Sequence, residues 1–189
     1  NAVLVSTYEK FGQLKFNNDG SIECWTKETG LAGNRVRVAE QMSNGDLYVG
    51  TTTGLSIIEQ DTGIITNIAK GETLKNDYIM CLYEDKEGKI WVGTDGGGVF
   101  ILNNKQVEKI ITKEDSLAGN VVFKITENNN GDIWITTGTG ISLYRNNILY
   151  TFDNKNGFGA DGVFQLIPDF SGRLWGTSNR GIFFVKNSD

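Results

Sequence analysis

Residues 89–102 read KIWVGTDGGGVFIL. An apolar and β-branched run around Trp91 breaks at Thr94-Asp95-Gly96-Gly97-Gly98, and a second β-rich run follows, which is the pattern of a hairpin with a glycine corner. The chain repeats it. Tyr48 sits in LYVGTTTGLSII, Trp134 in IWITTGTGISLY and Trp175 in LWGTSNRGIFFV, so the four aromatic anchors lie 43, 43 and 41 residues apart. A period near 42 with strands inside it signals a repeat architecture.

More than the anchor aligns. Three residues before it stands Gly45, Gly88, Gly131 or Gly172, in turns whose glycine can take the left-handed conformation of a short hairpin. Three residues after it comes a hydroxyl, Thr51, Thr94, Thr137 or Ser178. Fourteen before it comes Asn34, Asp77, Asn120 or Asp161, and twelve before it Val36, Ile79, Val122 or Val163. Seventeen before it stands Leu31, Leu74, Leu117 or Phe158.

The unit reads as four strands, A to D, at 78–84, 89–94, 99–103 and 107–112 in the second copy. The corresponding strands are 121–127, 132–137, 141–145 and 148–152 in the third copy, and 35–41, 46–51, 55–59 and 64–69 in the first. Such a meander is too small to bury both faces alone, and radially stacked meanders of this length are propeller blades. The fold class expected is therefore all-β, a β-propeller of four-stranded antiparallel blades. Blades are expected at 27–70, 71–113 and 114–155. An A-B-C part-blade is expected at 156–189 and a B-C-D part-blade at 1–26, with Leu4 in the anchor column and residues 21–25 as candidate closing strand. A closed four-bladed ring, a slice of a larger ring and half of an eight-bladed dimer all fit about four blades. The chain opens abruptly inside a β pattern, so it reads as a trimmed piece, and Asn1-Ala2 is left open between native sequence and a cloning remnant.

Composition excludes several function classes. The net charge of −5 gives no basic surface for nucleic acid. No apolar run approaches the ~20 residues that span a bilayer, so no membrane contact by this segment is expected. Histidine is absent, which removes the commonest general base and metal ligand. Cys24 and Cys81 are too few for a disulfide framework and read as buried free thiols in strands.

The recurring pattern G-L-x-x-N-x-V … D-x-x-G-x-[IL]-W-[VI]-G-T-x-x-G-[LI] resembles the two-component regulator propeller repeat. Gly30, Leu31, Asn34 and Val36 carry it, as do Leu117, Asn120 and Val122, and residues 88–94 with Gly97 and Gly98. Ile133 and Trp134 through Gly140 and Ile141, and Leu174 and Trp175 through Gly181 and Ile182, complete it. Tyr48 replaces tryptophan in the first copy, Thr136 stands where Gly93 does in the second, and Leu4 is a degenerate anchor. The resemblance implies the extracytoplasmic input region of a bacterial sensor histidine kinase, hybrid two-component regulator or diguanylate-cyclase-type protein. In gut bacteria many such regions are read as oligosaccharide detectors. It implies kinase or cyclase output domains in the parent chain, and it carries no catalytic residue onto this one.

An enzyme is not expected. A sialidase-type Asp-box needs aspartate two before the turn glycine, where Ser43, Lys86, Asn129 and Phe170 stand; the acidic residues lie three before, as Asp85 and Asp169. A pair of carboxylates for glycoside hydrolysis is not singled out. The glycine corner at 94–98 lacks the Lys-Ser/Thr of a phosphate loop, and the Asn/Asp-rich turns lack a full calcium ligand set. No metal and no cofactor are expected. In a propeller, strand A lines the channel, and the D–A and B–C loops open on one face. The variable residues there are Arg35, Tyr78, Asp95, Asn179 and Arg180, a set suited to sugars through stacking and bidentate hydrogen bonding. The expectation is a ligand-sensing domain for an oligosaccharide or other small molecule, self-associating as a dimer. The alternatives are a protein–protein scaffold and, less favoured, a glycan-acting enzyme.

Overall fold

The computed structural model describes residues 3–9, 11–68, 76–160 and 162–186. Leu74 and Asp161 of the repeat columns, and Asn1 and Ala2, lie outside the described residues. Five antiparallel sheets follow one another along the chain. The first holds β1 (Val3–Ser6), β2 (Gln13–Phe16) and β3 (Ile22–Trp25). The second holds β4 (Val36–Gln41), β5 (Leu47–Thr51), β6 (Gly54–Ile58) and β7 (Ile65–Ile68). The third holds β8 (Ile79–Glu84), β9 (Ile90–Thr94), β10 (Val99–Asn103) and β11 (Gln106–Ile111). The fourth holds β12 (Val122–Glu127), β13 (Ile133–Thr137), β14 (Gly140–Arg145) and β15 (Ile148–Asp153), and the fifth β16 (Val163–Pro168), β17 (Arg173–Ser178) and β18 (Gly181–Lys186). This is an all-β propeller architecture.

The apolar core is divided among the junctions between sheets. Tyr48 packs with Leu82 and Ile90 of the third sheet, Trp91 with Ile125 and Ile133 of the fourth, and Trp134 with Val163, Leu166 and Leu174 of the fifth. Each anchor thus fills the seam to the next sheet, so stability is built from nearest-neighbour contacts as in other repeat folds. Gly50 and Gly93 belong to the same seams. A Cβ on Gly93 would lie 2.5 Å from Cys81 Sγ and 2.6 Å from Val122 Cγ1. Where Thr136 takes that column, its hydroxyl instead reaches the Lys124 and Phe164 carbonyls, within and across the seam.

Polar clamps cross the same junctions. Glu84 accepts from the Ser43 amide and hydroxyl, and Glu127 accepts from the Lys86 amide, one sheet back in each case. Pro168 holds this column in the fifth sheet and has no carboxylate to offer, and Phe170 beyond it is fully exposed.

The arc is open. β3 pairs with β2 alone, and β18 has no outer partner among the described residues, so residues 21–25 do not close the ring. Ile22 and Val3 on the first sheet, and Ile182, Ile167 and Phe184 on the last, are exposed. Trp175, the anchor of the last sheet, is 40% exposed, against 2% for Trp91. Cys81 is buried, which pushes its thiol up to about 12. Cys24 corrects the expectation of a buried thiol: it lies in the edge strand β3 of the first sheet and is exposed.

Candidate functional site

The loops are fixed by a repeated set of hydrogen bonds. Thr51, Thr94 and Thr137 donate their hydroxyls to the carbonyls of Gly54, Gly98 and Gly140, and accept from the amides of Thr53, Gly97 and Thr139. Ser178 does the same with Gly181 and Arg180. Asn34 and Asn120 each accept from the amide seven residues upstream, Lys27 and Lys113. A third bond ties each B–C turn to the start of strand A: Thr52 to Arg35, Asp95 to Tyr78, Gly138 to Val121 and Asn179 to Gly162. Arg35 and Tyr78 therefore hold one column, and Asp95 and Asn179 another.

These ties gather some of the expected residues and separate others. Arg35 lies over the Tyr8 ring at 5.7 Å, and Arg37 over the Tyr78 ring at 5.8 Å. The Tyr8 and Tyr78 hydroxyls meet at 3.3 Å, which raises the Tyr78 phenol above its ordinary value. Asp95 is exposed in the turn beside Tyr78, with its carbonyl held by the Asn76 side chain. Asn179 and Arg180 sit in the β17–β18 turn, two sheets further round the arc.

Strand A contributes residues that sequence reasoning missed. In β4 the register jumps from Val36↔Thr51 to Val38↔Gly50, leaving Arg37 as a β-bulge. The same jump leaves Met80 in β8, Phe123 in β12 and Phe164 in β16 unpaired. This strand-A bulge recurs in the second to fifth sheets, always eleven residues before the anchor, and re-aims a side chain that strict alternation would place otherwise. Arg37 Nη2 stands 4.0 Å from Met80 Sδ, and the Phe123 and Phe164 rings are 5.5 Å apart, so the bulged side chains of adjacent sheets touch. Arg35, Arg37 and Phe164 are exposed, and Tyr78, Met80 and Phe123 half-buried.

The opposite end of the sheets holds a hollow of about 660 Å³ between the third and fourth sheets. Its charges are already paired. Lys86 meets Glu127, Lys89 meets Glu87 and Glu108, and Lys109 lies over the Tyr144 ring. Asp85 and Asp169, which miss the Asp-box, organise the A–B turns at this end. Each accepts the indole N–H of its anchor, Trp91 at 2.7 Å and Trp175 at 2.8 Å, together with turn amides. Asn128 replaces the aspartate in the fourth sheet, and the buried Trp134 Nε1 has no hydrogen-bond partner among the described residues. There Asp132 binds Arg145 instead, at 2.6 and 2.7 Å.

These carboxylates make stability acid-sensitive. The Trp175 indole above all, with Ser171 and Arg173, holds Asp169 well below its ordinary value, and Arg145 lowers Asp132. A group whose folded pKa is depressed stabilises the fold above its unfolded pKa and loses that contribution as pH falls through the folded value. The urea midpoint is therefore expected to drop progressively below about pH 4. Asp169→Asn should lower the midpoint at pH 7 and flatten this acid dependence; an unchanged slope would refute the assignment.

The comparisons with known proteins bear on what such an arc belongs to. The model of the two-component regulator propeller family matches residues 73–96. The match spans one repeat of that family's kind. It contains the third-sheet anchor Trp91, the hydroxyl-column Thr94 and the turn residue Asp95. The extracellular domain of a protein described as a hybrid two-component system from B. thetaiotaomicron is similar in structure, with a TM-score of 0.78 at 23% identity, over 96% of this chain and 25% of that one. A second extracellular domain from B. thetaiotaomicron, described as that of a one-component system, has a TM-score of 0.78 at 16% identity, over 100% of this chain and 28% of that one. The chain thus spans about a quarter of the length of these neighbours. A virginiamycin B lyase from Staphylococcus aureus, crystallised as a catalytically inactive histidine-to-alanine variant with quinupristin, is similar at a TM-score of 0.67 and 16% identity, over 94% of this chain and 63% of that one. Among curated proteins no match to the chain was found.

Proposed function

We propose that this regulator propeller is a non-catalytic, ligand-sensing input domain of a bacterial signalling receptor, placed outside the cytoplasm and recognising an oligosaccharide or another small molecule. The observation that carries it is the regulator propeller repeat itself, matched over 73–96 and spaced along the chain by the same columns. The closeness of Arg35, Tyr78 and Asp95, where the copies differ, adds support, and the proposed site extends to Asn179 and Arg180 of the fifth sheet. Downstream kinase or cyclase domains would read the bound state.

The lyase neighbours do not argue for an enzyme here. One of them is inactive as a histidine-to-alanine variant, and this chain contains no histidine. Turnover of a chromogenic glycoside, abolished by a single carboxylate substitution, would overturn the non-catalytic reading.

A thermal-shift screen against an oligosaccharide panel tests the proposal. A ligand at 100 times its Kd stabilises the native state by about 2.7 kcal/mol, a clear rise in Tm. The second reading, a scaffold that works by self-association, is favoured by the exposed apolar faces of the first and last sheets. A constant dimer in sedimentation, with no compound raising Tm, would establish that reading in place of the first.

A further inference from the structure

The bulge column and the column two residues before it run along the A strands of four successive sheets. In chain order they supply Arg35 and Arg37, then Tyr78 and Met80, then Val121 and Phe123, then Gly162 and Phe164. The row therefore grades from two guanidiniums at one end to two phenylalanine rings at the other. Side chains touch at two of its junctions, Arg37 to Met80 and Phe123 to Phe164.

The cationic end is short of counter-charge. Neither Arg35 nor Arg37 forms an ion pair with Asp95 or any other carboxylate among the described residues. Each guanidinium instead stands over a tyrosine ring, and the two tyrosine hydroxyls join between them. Arg37 Nη2 faces Met80 Sδ, and the guanidinium N–H groups that remain suit a carboxylate or sulfate. The apolar end is a tilted pair of rings, with Phe164 49% exposed. An exposed ring beside a half-buried one suits a flat body laid against the pair.

Resting on the sensing role above, we infer that this row selects an anionic ligand with a flat, ring-containing body: the acid group lies at Arg35 and Arg37, and the ring lies against Met80, Phe123 and Phe164. A neutral sugar can accept hydrogen bonds from the two arginines but brings no charge to pair with them, and charge-assisted bonds are the stronger kind.

Calorimetric titration of the 189-residue chain with 2-naphthoate and with uncharged 2-naphthamide tests this. Naphthoate is expected to bind at least about tenfold more tightly, and Arg37→Gln or Arg35→Gln to remove that advantage without changing naphthamide binding. Phe164→Ala should weaken both probes. These side chains are exposed, and an unchanged Tm in each variant separates lost binding from lost folding. Equal affinity for the two probes, or naphthoate binding indifferent to both arginine substitutions, overturns the inference. Binding abolished by Ile182→Ser on the last sheet, and untouched by Arg37→Gln, overturns it by placing the probe on the open sheet face. A neutral oligosaccharide that raises Tm while naphthoate does not bind leaves the sensing role standing and removes only the anion selectivity.

Discussion

Trp91→Ala is expected to destabilise the chain by about 3–5 kcal/mol, the range for emptying a large aromatic site in a closed core. The same change at Trp175 should cost well under half of that. The two residues hold the same column, and both indoles donate to an aspartate six residues upstream. They differ in what lies beyond. Trp91 is 2% exposed, with Tyr144 of the next sheet edge-on at 5.2 Å, whereas Trp175 is 40% exposed on the last sheet. Urea denaturation of the two variants, followed by circular dichroism, measures the contrast. Equal losses would mean that the seams do not carry the energy. Trp175→Ala should also reduce any self-association, because it shrinks an exposed apolar face.

Gly93→Ala should be nearly as damaging for the opposite reason. Its added methyl would lie 2.5–2.6 Å from Cys81 Sγ and Val122 Cγ1, both buried and both on strands that cannot retreat without opening the seam. Overpacking of this kind costs about 1–3 kcal/mol. A lowered urea midpoint is expected, together with a broader transition as the third and fourth sheets begin to unfold separately. Gly138→Ala is the control for the added methyl: like Gly93 it has no positive φ, and the nearest atom to its added methyl is 3.7 Å away, an ordinary contact. If the Gly93 variant lost no more stability than the Gly138 variant, close packing would not be the cause.

The repeated backbone requirements were legible in the sequence. Turn glycines, the hydroxyl bracket and the Asx column each answer one geometric need per copy, so four copies show the need four times. Gly45, Gly88, Gly131 and Gly172 all take positive φ, between 77° and 87°. The bulges were not legible, because Val36 and Val38 read as ordinary alternation around Arg37, and only the partner strand reveals the missing pairing. The Asp85–Trp91 and Asp169–Trp175 bonds were within reach of a closer reading. Where aspartate stands six before the anchor, Lys89 or Arg173 stands two before it; where Asn128 or Met42 stands there, Asp132 or Asp46 takes the second position. The exposure of Cys24 and Trp175 was invisible for another reason. Burial in this fold is conferred by the neighbouring sheet, and a residue's own column does not say whether a neighbour is present. Of the expected loop residues, Arg35, Tyr78 and Asp95 fall near one another, while Asn179 and Arg180 lie two sheets away because equal columns in separate blades are separated by rotation.

The corner that sets the third sheet apart has one residue more than its counterparts, and the amides of Gly96 and Gly98 both use the surplus to reach the Asn120 carbonyl, while Asp95 bridges to Val121. Backbone thus stitches the third and fourth sheets together at the loop end, in addition to the Glu127 clamp at the other end. A seam sewn at both ends resists shear and twist. Elastic strain applied to the arc, by a bound molecule or a pulling partner, would therefore be taken up at the other seams, and these two sheets would move as a single stiff plate.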